Sequence, residues 1–386
     1  MRYLLLPLLL MAVPCSAQWT RDEALPESEV PSLLPHGTGL FVGGVGTLHH
    51  QPSPGAPWEA WNAIPEDLLY LDALAHFGGS LFAGTGGAAM YRCNGAGSPW
   101  VASPGLVGLG SSQVSCIAEF QGSLYCGTMG GGTFRLVNDT WQPFGALGDD
   151  QANNVYFLRA IGDTLWCGGG GNGYLFRISA GATDWTPVPV DVVAGLSIEF
   201  TDIIEVPGAL VAGGTMGTYR STDHGASWTW TAGPAAVVKF TWWNDVLIAS
   251  RTGGSTRWFR SNNDGLSWEV FSETALSFAH VLYNGRFYSG QLDGLWYMEN
   301  LPTAVNDPEP NAFELFPNPA QERITLRTQE AMPASFRVLD PLGRTVLSGI
   351  THGVSETIDI SHLPAGPYTL FLSTRIGNRT MPFVIQ

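Results

Sequence analysis

The chain has 386 residues, of which 45% are hydrophobic and 13% are charged, so it is long and apolar enough for two or three packed domains. Its 48 glycines and 26 prolines are dispersed, which favours many short strands joined by tight turns over helices. The net charge of −15 and the single lysine, Lys239, leave no basic patch, which argues against nucleic acids and anionic membranes as partners.

The N-terminal residues have the features of a secretory signal peptide. An apolar run from Leu4 to Val13 ends in small residues that place cleavage after Ala17. The run is too short to anchor the chain in a bilayer, so we expect no transmembrane anchor. A lipoprotein with Cys15 as the lipidated residue is the weaker alternative, because the residues before Cys15 do not form the expected small-residue box. We therefore predict export through the periplasm.

After the signal peptide the sequence repeats with a period of about 40 residues. Aligned on one apolar strand residue, the units give Leu40, Leu81, Leu124, Leu165, Leu210, Leu247 and Phe287. Three residues later stands a glycine, except in the sixth unit, which has Ser250. A glycine therefore recurs where the second strand of each unit is predicted to end.

Five of the seven units continue through a glycine-rich turn into an aromatic-arginine pair, and the first six units reach a tryptophan. The pairs are Tyr91-Arg92, Phe134-Arg135, Phe176-Arg177, Tyr219-Arg220 and Phe259-Arg260, and the tryptophans are Trp58 or Trp61, Trp100, Trp141, Trp185, Trp228 and Trp268. Four short strands in such a period make a propeller blade. The sequence therefore predicts an all-β protein with a seven-bladed β-propeller, or six blades if one weak unit is not a blade.

The seventh unit lacks an outer-strand tryptophan before the chain changes character. Trp19 stands about one repeat length before Trp58, so residues 18–20 can supply the missing outer strand from the other end of the propeller. Pairing of this kind closes the ring and hides its open sheet edges. We expect the N-terminal strand to complete the last blade.

Two units contain a turn that resembles the Asp-box (BNR) motif, serine-x-aspartate-x-glycine-x-x-tryptophan. The matching residues are Ser221, Asp223, Gly225 and Trp228 in one unit, and Ser261, Asn263, Asp264, Gly265 and Trp268 in the next. The resemblance implies a propeller. The serine and carboxylate can bond the hairpin backbone, the glycine accepts a positive φ, and the tryptophan packs between blades. We interpret both turns as structural and not as an active site.

Four cysteines remain after signal cleavage. Cys126 and Cys167 occupy a position where other units have alanine, so we interpret them as small buried core residues. Cys93 and Cys116 are the better candidates for a disulfide in an exported chain.

A different domain follows a proline-rich acidic stretch at residues 304–312, which we interpret as a linker. Its alternating apolar and polar residues between turn signals predict a small immunoglobulin-like antiparallel β-sandwich over residues 313–386. The predicted organisation is a signal peptide at 1–17, a propeller at 18–303, the linker and this sandwich.

Four motifs of the last domain occur in an order typical of one family. They are Pro317-Asn318-Pro319, Asp340 to Arg344, Leu363 to Tyr368, and a final β-strand. Together they resemble the type A sorting domain of type IX secretion. The resemblance implies the secretion machinery as a partner, and passage across the outer membrane to the medium or the cell surface.

The sequence contains no recognisable catalytic constellation. A sialidase needs an arginine triad and a tyrosine nucleophile, but its phenylalanine-arginine-isoleucine-proline opening is missing, and the repeated arginines suit ion pairing or blade packing. Other propeller hydrolases use carboxylates at the central mouth, and Asp149, Asp150, Asp191, Glu199 and Glu205 are candidates. His49 and His50 stand alone, without a second histidine pair. We therefore name no catalytic residue, and we expect no cofactor and no metal.

Long connections between blades are the best candidates for a binding surface, since propellers place ligands on variable loops of a rigid ring. They run from Asn62 to Asp72, Ala102 to Val114, Gly145 to Val155 and Pro187 to Phe200. The leading hypothesis is therefore an exported or surface protein that binds an extracellular glycan or protein. Two alternatives stay open: a hydrolase or lyase of extracellular polysaccharide, and a structural or adhesion protein.

Overall fold

The repeating units fold as the blades of a closed ring. The computed structural model describes residues 19–61, 65, 70–106, 112–148, 153–169, 174–190, 198–231, 233–252, 256–301, 313–328, 334–340, 344–351, 353–374 and 377–386. Among these residues, seven four-stranded antiparallel sheets form the blades, and one three-stranded and one four-stranded sheet follow at the C-terminal end. The predicted fold class, an all-β propeller of seven blades with a β-sandwich, is confirmed.

Blades 1 to 6 each take their four strands from one continuous segment, ordered from the inner to the outer strand. The strands are Ser32–His36, Gly39–Gly43, Leu48–Gln51 and Glu59–Ala60 in blade 1; Leu71–Phe77, Ser80–Thr85, Met90–Cys93 and Val101–Ala102 in blade 2; Val114–Phe120, Ser123–Thr128, Gly132–Val137 and Thr140–Pro143 in blade 3; Val155–Ile161, Thr164–Gly169, Tyr174–Ser179 and Thr186–Pro189 in blade 4; Phe200–Val206, Ala209–Gly214, Gly217–Ser221 and Thr229–Trp230 in blade 5; and Val237–Trp243, Val246–Thr252, Thr256–Ser261 and Glu269–Thr274 in blade 6.

Blade 7 joins the two ends of the propeller sequence. Its three inner strands are Ser277–Tyr283, Arg286–Gln291 and Gly294–Met298, and its outer strand is Thr20–Arg21. Thr20 pairs with Tyr297 and Arg21 with Trp296. The closing strand thus lies where the sequence pattern places it, shifted slightly toward the C-terminus from residues 18–20.

The recurring glycine at the end of each second strand is explained by packing between blades. A Cβ at Gly84 would lie 2.6 Å from Val114 Cγ1, and one at Gly213 would lie 2.8 Å from Val237 Cβ. Val114 and Val237 begin the inner strands of the next blades. Neighbouring blades therefore approach so closely that this position accepts hardly any side chain.

The C-terminal residues form a sandwich of two antiparallel sheets. One sheet contains Phe313–Phe316, Arg323–Thr328 and Ser355–Asp359, and the other contains Thr345–Thr351, Ala334–Leu339, Gly366–Thr374 and Gly377–Ile385. Ile324, Val338 and Leu370 are fully buried between the sheets. Alternation along these strands therefore places their apolar side chains in one core, as predicted.

The sandwich contacts the propeller at the outer edge of blade 5. The guanidinium carbon of Arg337 lies 3.5 Å from a ring centroid of the Trp230 indole. The ring of Phe371 meets the same indole edge-on, with 5.0 Å between the ring centroids. A cation over one indole and an aromatic edge against it are both favourable contacts.

Two predicted segments, the signal peptide at 1–17 and the linker at 304–312, lie outside the described residues. Within the part of the chain that the structure describes, no helix is long and apolar enough to span a bilayer.

Candidate functional site

One face of the ring carries both the turns between second and third strands and the connections that lead into the inner strands. Such turns and connections are joined by the bridges Val45 to Tyr70, Gly86 to Gln113 and Met129 to Asn154. We call this side of the ring the mouth face. The four long connections predicted as a binding surface run into it, and residues 62–64, 66–69, 107–111, 149–152 and 191–197 of those connections lie outside the described residues.

Large hydrophobic side chains are exposed on the described part of the mouth face. The exposed fractions are 45% for Tyr70, 40% for Tyr174, 41% for Met216 and 51% for Leu292. Tyr70 precedes the inner strand of blade 2, Tyr174 begins the third strand of blade 4, and the other two lie in turns between second and third strands. Blades 2, 4, 5 and 7 thus each present an apolar or aromatic group on one side of the molecule.

The inner strands enclose a central channel with a cavity of about 320 Å³. Asp72, Tyr156, Arg159, Asp202 and Lys239 line it together with small polar residues and apolar residues that include phenylalanines and leucines. The hydroxyls of two other lining residues are already engaged: Ser115 lies within hydrogen-bond distance of the Gly127 and Val155 carbonyls, and Thr201 of the Gly213 and Val237 carbonyls. Charged groups therefore supply most of the polar chemistry of the channel.

Asp202 links three consecutive blades. Its Oδ2 accepts a hydrogen bond from the Arg159 guanidinium of blade 4 at 2.9 Å and another from the backbone N–H of Phe240 in blade 6 at 2.7 Å. The Asp202 side chain is only 5% exposed, whereas that of Arg159 is 26% exposed. The carboxylate is thus held by its partners, and the guanidinium keeps further donors for the channel.

Lys239 and His280 form a second polar group beside this ion pair. His280 is buried, and its Nδ1 lies 2.9 Å from Thr241 Oγ1 while its Nε2 lies 2.9 Å from Ser250 Oγ. Burial, with the neighbouring charges of Lys239 and Arg159, lowers the pKa of His280 well below its usual value, so the imidazole is neutral. Ser250, the one departure from the recurring glycine, is thus the partner of a buried histidine in the next blade.

The ammonium of Lys239 is also in an unfavourable environment. Burial lowers its pKa, as does the positive charge of Arg159, and the carboxylate of Asp202 acts in the opposite direction. Lys239 forms no ion pair among the described residues, because Asp202 pairs with Arg159 instead.

Asp72 and Tyr156 mark the end of the channel near the mouth face. Burial raises the pKa of Asp72 to about 6. Burial and the adjacent Glu199 carboxylate, which accepts a hydrogen bond from the phenol, raise the pKa of Tyr156. Acidic groups therefore lie at the channel entrance, whereas Arg159 and Lys239 supply basic groups elsewhere on the channel wall.

The carboxylates proposed from sequence are distributed differently from a catalytic pair. Asp149, Asp150 and Asp191 lie outside the described residues. Glu199 lies at the mouth face beside Tyr156, whereas Glu205 is exposed near the opposite end of the inner strand of blade 5. The channel residues Asp72, Asp202, Arg159 and His280 were not predicted from the sequence, although Ser250 and the single lysine were signals in it.

The Asp-box-like turns lie on the face opposite the mouth face, between the third and outer strands of blades 5 and 6. Ser221 Oγ accepts a hydrogen bond from the Gly225 N–H at 2.8 Å, and Asp223 Oδ1 accepts one from the Ser227 N–H at 2.9 Å. Hydrogen bonds from Ser227 and Ser221 hold the pKa of Asp223 well below its usual range. Ser261 and Asn263 make the corresponding bonds to Gly265 and Ser267.

The remaining motif residues of these turns also have backbone and packing roles. Gly225 and Gly265 have φ of 81° and 82°, and Asp264 has a φ of 56°. Trp228 packs at the interface of blades 4 and 5, and Trp268 contacts the core between blades 5 and 6.

Three of the five repeated arginines contact the following blade, whereas Arg135 donates to Ser123 and Arg260 to Glu269 within their own blades. Arg92 pairs with Asp139 at 2.8 Å, Arg177 donates to the His224 carbonyl at 3.3 Å, and Arg220 donates to the Asp264 carbonyl at 3.1 Å. Each acceptor lies in the turn before the outer strand of the next blade. These arginines are therefore spread around the ring and do not converge on one ligand.

None of the four described cysteines is in a disulfide, so the expectation that Cys93 and Cys116 are the better candidates to form one is not met. The sulfur of Cys93 lies 3.1 Å from the Gly95 carbonyl, within its own blade. Burial raises the pKa of Cys116 to about 12, which leaves it as an unreactive thiol. No group of three or more histidine, cysteine, aspartate or glutamate side chains is arranged to hold a metal ion among the residues described.

Comparison with known proteins supports the two-part architecture. Residues 314–386 match the family described as the secretion system C-terminal sorting domain. This domain directs the chain across the outer membrane to the cell surface or the medium by type IX secretion, and it implies an interaction with that machinery. No curated protein matches this sequence.

Solved structures resemble the chain in fold. PorZ, a surface component of the type IX secretion system of Porphyromonas gingivalis, is 13% identical with a TM-score of 0.51; the match covers 93% of this chain and 59% of PorZ. The chain therefore spans less than two thirds of PorZ. YCF48 from Cyanidioschyzon merolae is 14% identical with a TM-score of 0.55, covering 73% of this chain and 98% of YCF48. A structure of YCF48 bound to D1 peptide is also 14% identical, with a TM-score of 0.54, 73% coverage of this chain and 95% of that one.

Proposed function

We propose that this secreted propeller captures an extracellular ligand, a glycan or a protein, on its mouth face. The observation that carries the proposal is the exposure of Tyr70, Tyr174, Met216 and Leu292 on that one face. Exposed aromatic and apolar groups on a rigid scaffold are typical of recognition surfaces, because their burial on binding is favourable and costs little conformational entropy.

The similar propellers make such a role reasonable to test. YCF48 has been solved with a D1 peptide, and PorZ is a surface component of a secretion system. Those are properties of the two proteins, and at 13–14% identity they bring only the fold to this chain.

Substitution of the mouth face tests the proposal. We expect Tyr70→Ser combined with Tyr174→Ser to weaken capture by tenfold or more, on the order of 1.4 kcal/mol, because two exposed rings no longer stack on the ligand. The measurement is retention of the mature chain on immobilised glycans and on surface proteins. Leu266→Ser is the matched control, since Leu266 is 55% exposed on the opposite face. Equal capture by the double variant and the native chain would overturn the proposal.

Asp72 supports a second candidate, a polysaccharide hydrolase or lyase. A pKa of about 6 suits a general acid, and Asp72 lines the channel near the mouth face. This candidate requires release of soluble product from a panel of extracellular glycans, with loss of that release in Asp72→Asn. Capture without any product rejects it.

A further inference from the structure

We propose that the central channel contains a subsite for a ligand bearing a single carboxylate, bound by the Lys239 ammonium and the Arg159 guanidinium. The inference rests on the proposed function, because a ligand captured at the mouth face is what would present this carboxylate to the channel. It adds a chemical class to that ligand.

Blade 6 does not need a lysine at this position for its fold. Lys239 pairs with Ser250 in the register where blades 1, 2, 3 and 7 place small side chains opposite their glycines, and where blades 4 and 5 place Phe157 and Asp202; the small residues are Ser32, Ala73, Cys116 and Ala279. Small side chains therefore suffice to build an inner strand here. The only lysine of the chain nevertheless stands at this point of the channel wall.

Lys239 also has no ion-pair partner of its own among the described residues, although the Asp202 carboxylate lies near enough to favour its charged form. Asp202 is bound by Arg159 at 2.9 Å and by the Phe240 N–H at 2.7 Å. An enclosed ammonium without a counter-ion of its own is unfavourable, because burial removes much of its hydration. A bound anion would supply the missing partner.

The charges on this part of the channel wall do not cancel. Arg159 and Lys239 are positive, Asp202 is negative, and His280 is neutral beside them, so this wall of the channel has one uncompensated positive charge. A monoanion matches that charge. Asp72 also lines the channel, and burial alone accounts for its raised pKa, so no nearby cation stabilises its carboxylate.

Size and donor geometry favour a carboxylate on a small organic skeleton. The cavity of about 320 Å³ is near the lower end of small-molecule sites, which suits one sugar acid or organic acid. A planar carboxylate fits the guanidinium fork of Arg159, whose donors are only partly used by Asp202, and Lys239 adds a point charge.

Because the chain has one lysine, its ε-amine can be observed alone. Reductive methylation of the mature chain with ¹³C-formaldehyde gives one dimethyl-lysine NMR signal besides that of the α-amine. We expect sodium D-glucuronate to shift this signal in a saturable manner, and D-glucose, which lacks the carboxylate, to leave it in place. Sodium sulfate at equal ionic strength is the third arm. No saturable shift with glucuronate, or the same shift with sulfate, overturns the assignment to a carboxylate.

Calorimetry on the unmodified mature chain completes the test. We expect Lys239→Ala to weaken glucuronate binding by about tenfold or more, and the alanines of blades 2 and 7 indicate that this variant folds. Arg327→Ala is the charge-matched control, because Arg327 is exposed in the sandwich and remote from the channel. Glucuronate binding that is unchanged in Lys239→Ala overturns the subsite.

Failure of the subsite can be told apart from failure of the proposed function. The mouth-face variant Tyr70→Ser with Tyr174→Ser tests capture of the large ligand, whereas Lys239→Ala tests the small carboxylate. Loss of capture in the mouth-face variant together with absent glucuronate binding in the native chain leaves the proposed function standing and rejects the subsite alone.

Discussion

The charged side chains of the channel differ in whether they have bonding partners, as shown by Asp72, Asp202 and Lys239. Asp202 receives two donors and remains a partner in an ion pair, whereas Asp72 and Lys239 have no equivalent partner in the part of the chain that the structure describes. Desolvation acts against the charged form in both cases, so it raises the pKa of the acid and lowers that of the base. Such groups reduce stability, and side chains with strongly shifted pKa values often mark ligand-binding or catalytic sites.

The raised pKa of Asp72 predicts a pH-dependent stability. The folded state holds the proton more tightly than the unfolded state, so the contribution of Asp72 is fully present below about pH 4 and is lost as the pH rises through about 6. We expect Asp72→Asn to stabilise the protein at pH 8 by on the order of 1 kcal/mol, less than the full shift because the carboxyl is partly solvated, and to have little effect at pH 4. Denaturant unfolding at both pH values measures it, and an equal effect at the two would contradict it.

Arg220 predicts a stabilising contact between blades. Its Nε donates to the Asp264 carbonyl across the blade 5 and 6 interface at 3.1 Å. We expect Arg220→Ala to lower the free energy of unfolding by about 1–2 kcal/mol, because a charge-assisted hydrogen bond is lost in a part-buried site. Arg257→Ala is the control: its ion pair with Glu273 is largely exposed and is worth about 0–1 kcal/mol. Equal losses in thermal or denaturant unfolding would remove Arg220 from this role.

At the scale of the element, the contact between consecutive blades determines the repeat. The second strand of one blade ends beside the start of the next blade's inner strand. The two strands approach so closely that this position is occupied by glycine. Blade 6 has Ser250 at this position, and the serine hydroxyl lies against His280 instead of an aliphatic side chain. The exception shows that a small polar residue is tolerated where the next blade offers it a partner.

Gly84→Ala tests this packing within one blade. Its Cβ would lie 2.6 Å from Val114 Cγ1, and the branched side chain of Val114 cannot withdraw without moving its strand. We expect a loss of about 1–3 kcal/mol in the free energy of unfolding, as is usual for overpacking. Gly87→Ala, three positions away with no atom within 4 Å, should be nearly neutral. Chemical denaturation of the two variants makes the comparison, and similar losses would refute the explanation.

The blades could be predicted from sequence because each repeats the same packing problem, so the same leucine, glycine and tryptophan recur. The channel could not. The Arg159 to Asp202 ion pair joins residues 43 apart, about one repeat length, and every equivalent pair around the ring has a similar spacing. Which inner-strand side chains turn toward one another is therefore invisible in the spacing, and the disulfide expectation was not met because paired spacing says nothing about distance across blades.

At the scale of the whole molecule, the closing strand is the element that makes the blades a ring. Trp19 packs against Trp258 and Phe287 with ring centroids at 5.1 and 5.9 Å, and its Nε1 donates to Ser272 Oγ at 3.0 Å. These contacts join the first described residue to blades 6 and 7. Without them, the third strand of blade 7 would present an unpaired edge.

Trp19→Ala is expected to weaken closure. Loss of a partly buried indole and its hydrogen bond should lower the free energy of unfolding by about 2–4 kcal/mol and promote association through the exposed edge. Thermal unfolding followed by light scattering measures both effects. Thr20→Ala, an exposed position of the same strand, should change neither. A native-like melting temperature for Trp19→Ala would show that closure does not depend on this contact.

The closing contact also has a consequence for the order of events during export. Trp19 and its partner Ser272 are 253 residues apart, so a chain that is exported N-terminus first delivers one half of the closure long before the other. Loop closure over such a sequence separation is slow compared with local strand pairing. We therefore expect the N-terminal strand to stay unpaired until the last blade has been exported. The ring can therefore close only after all seven blades have been exported, which comes shortly before export of the sorting domain.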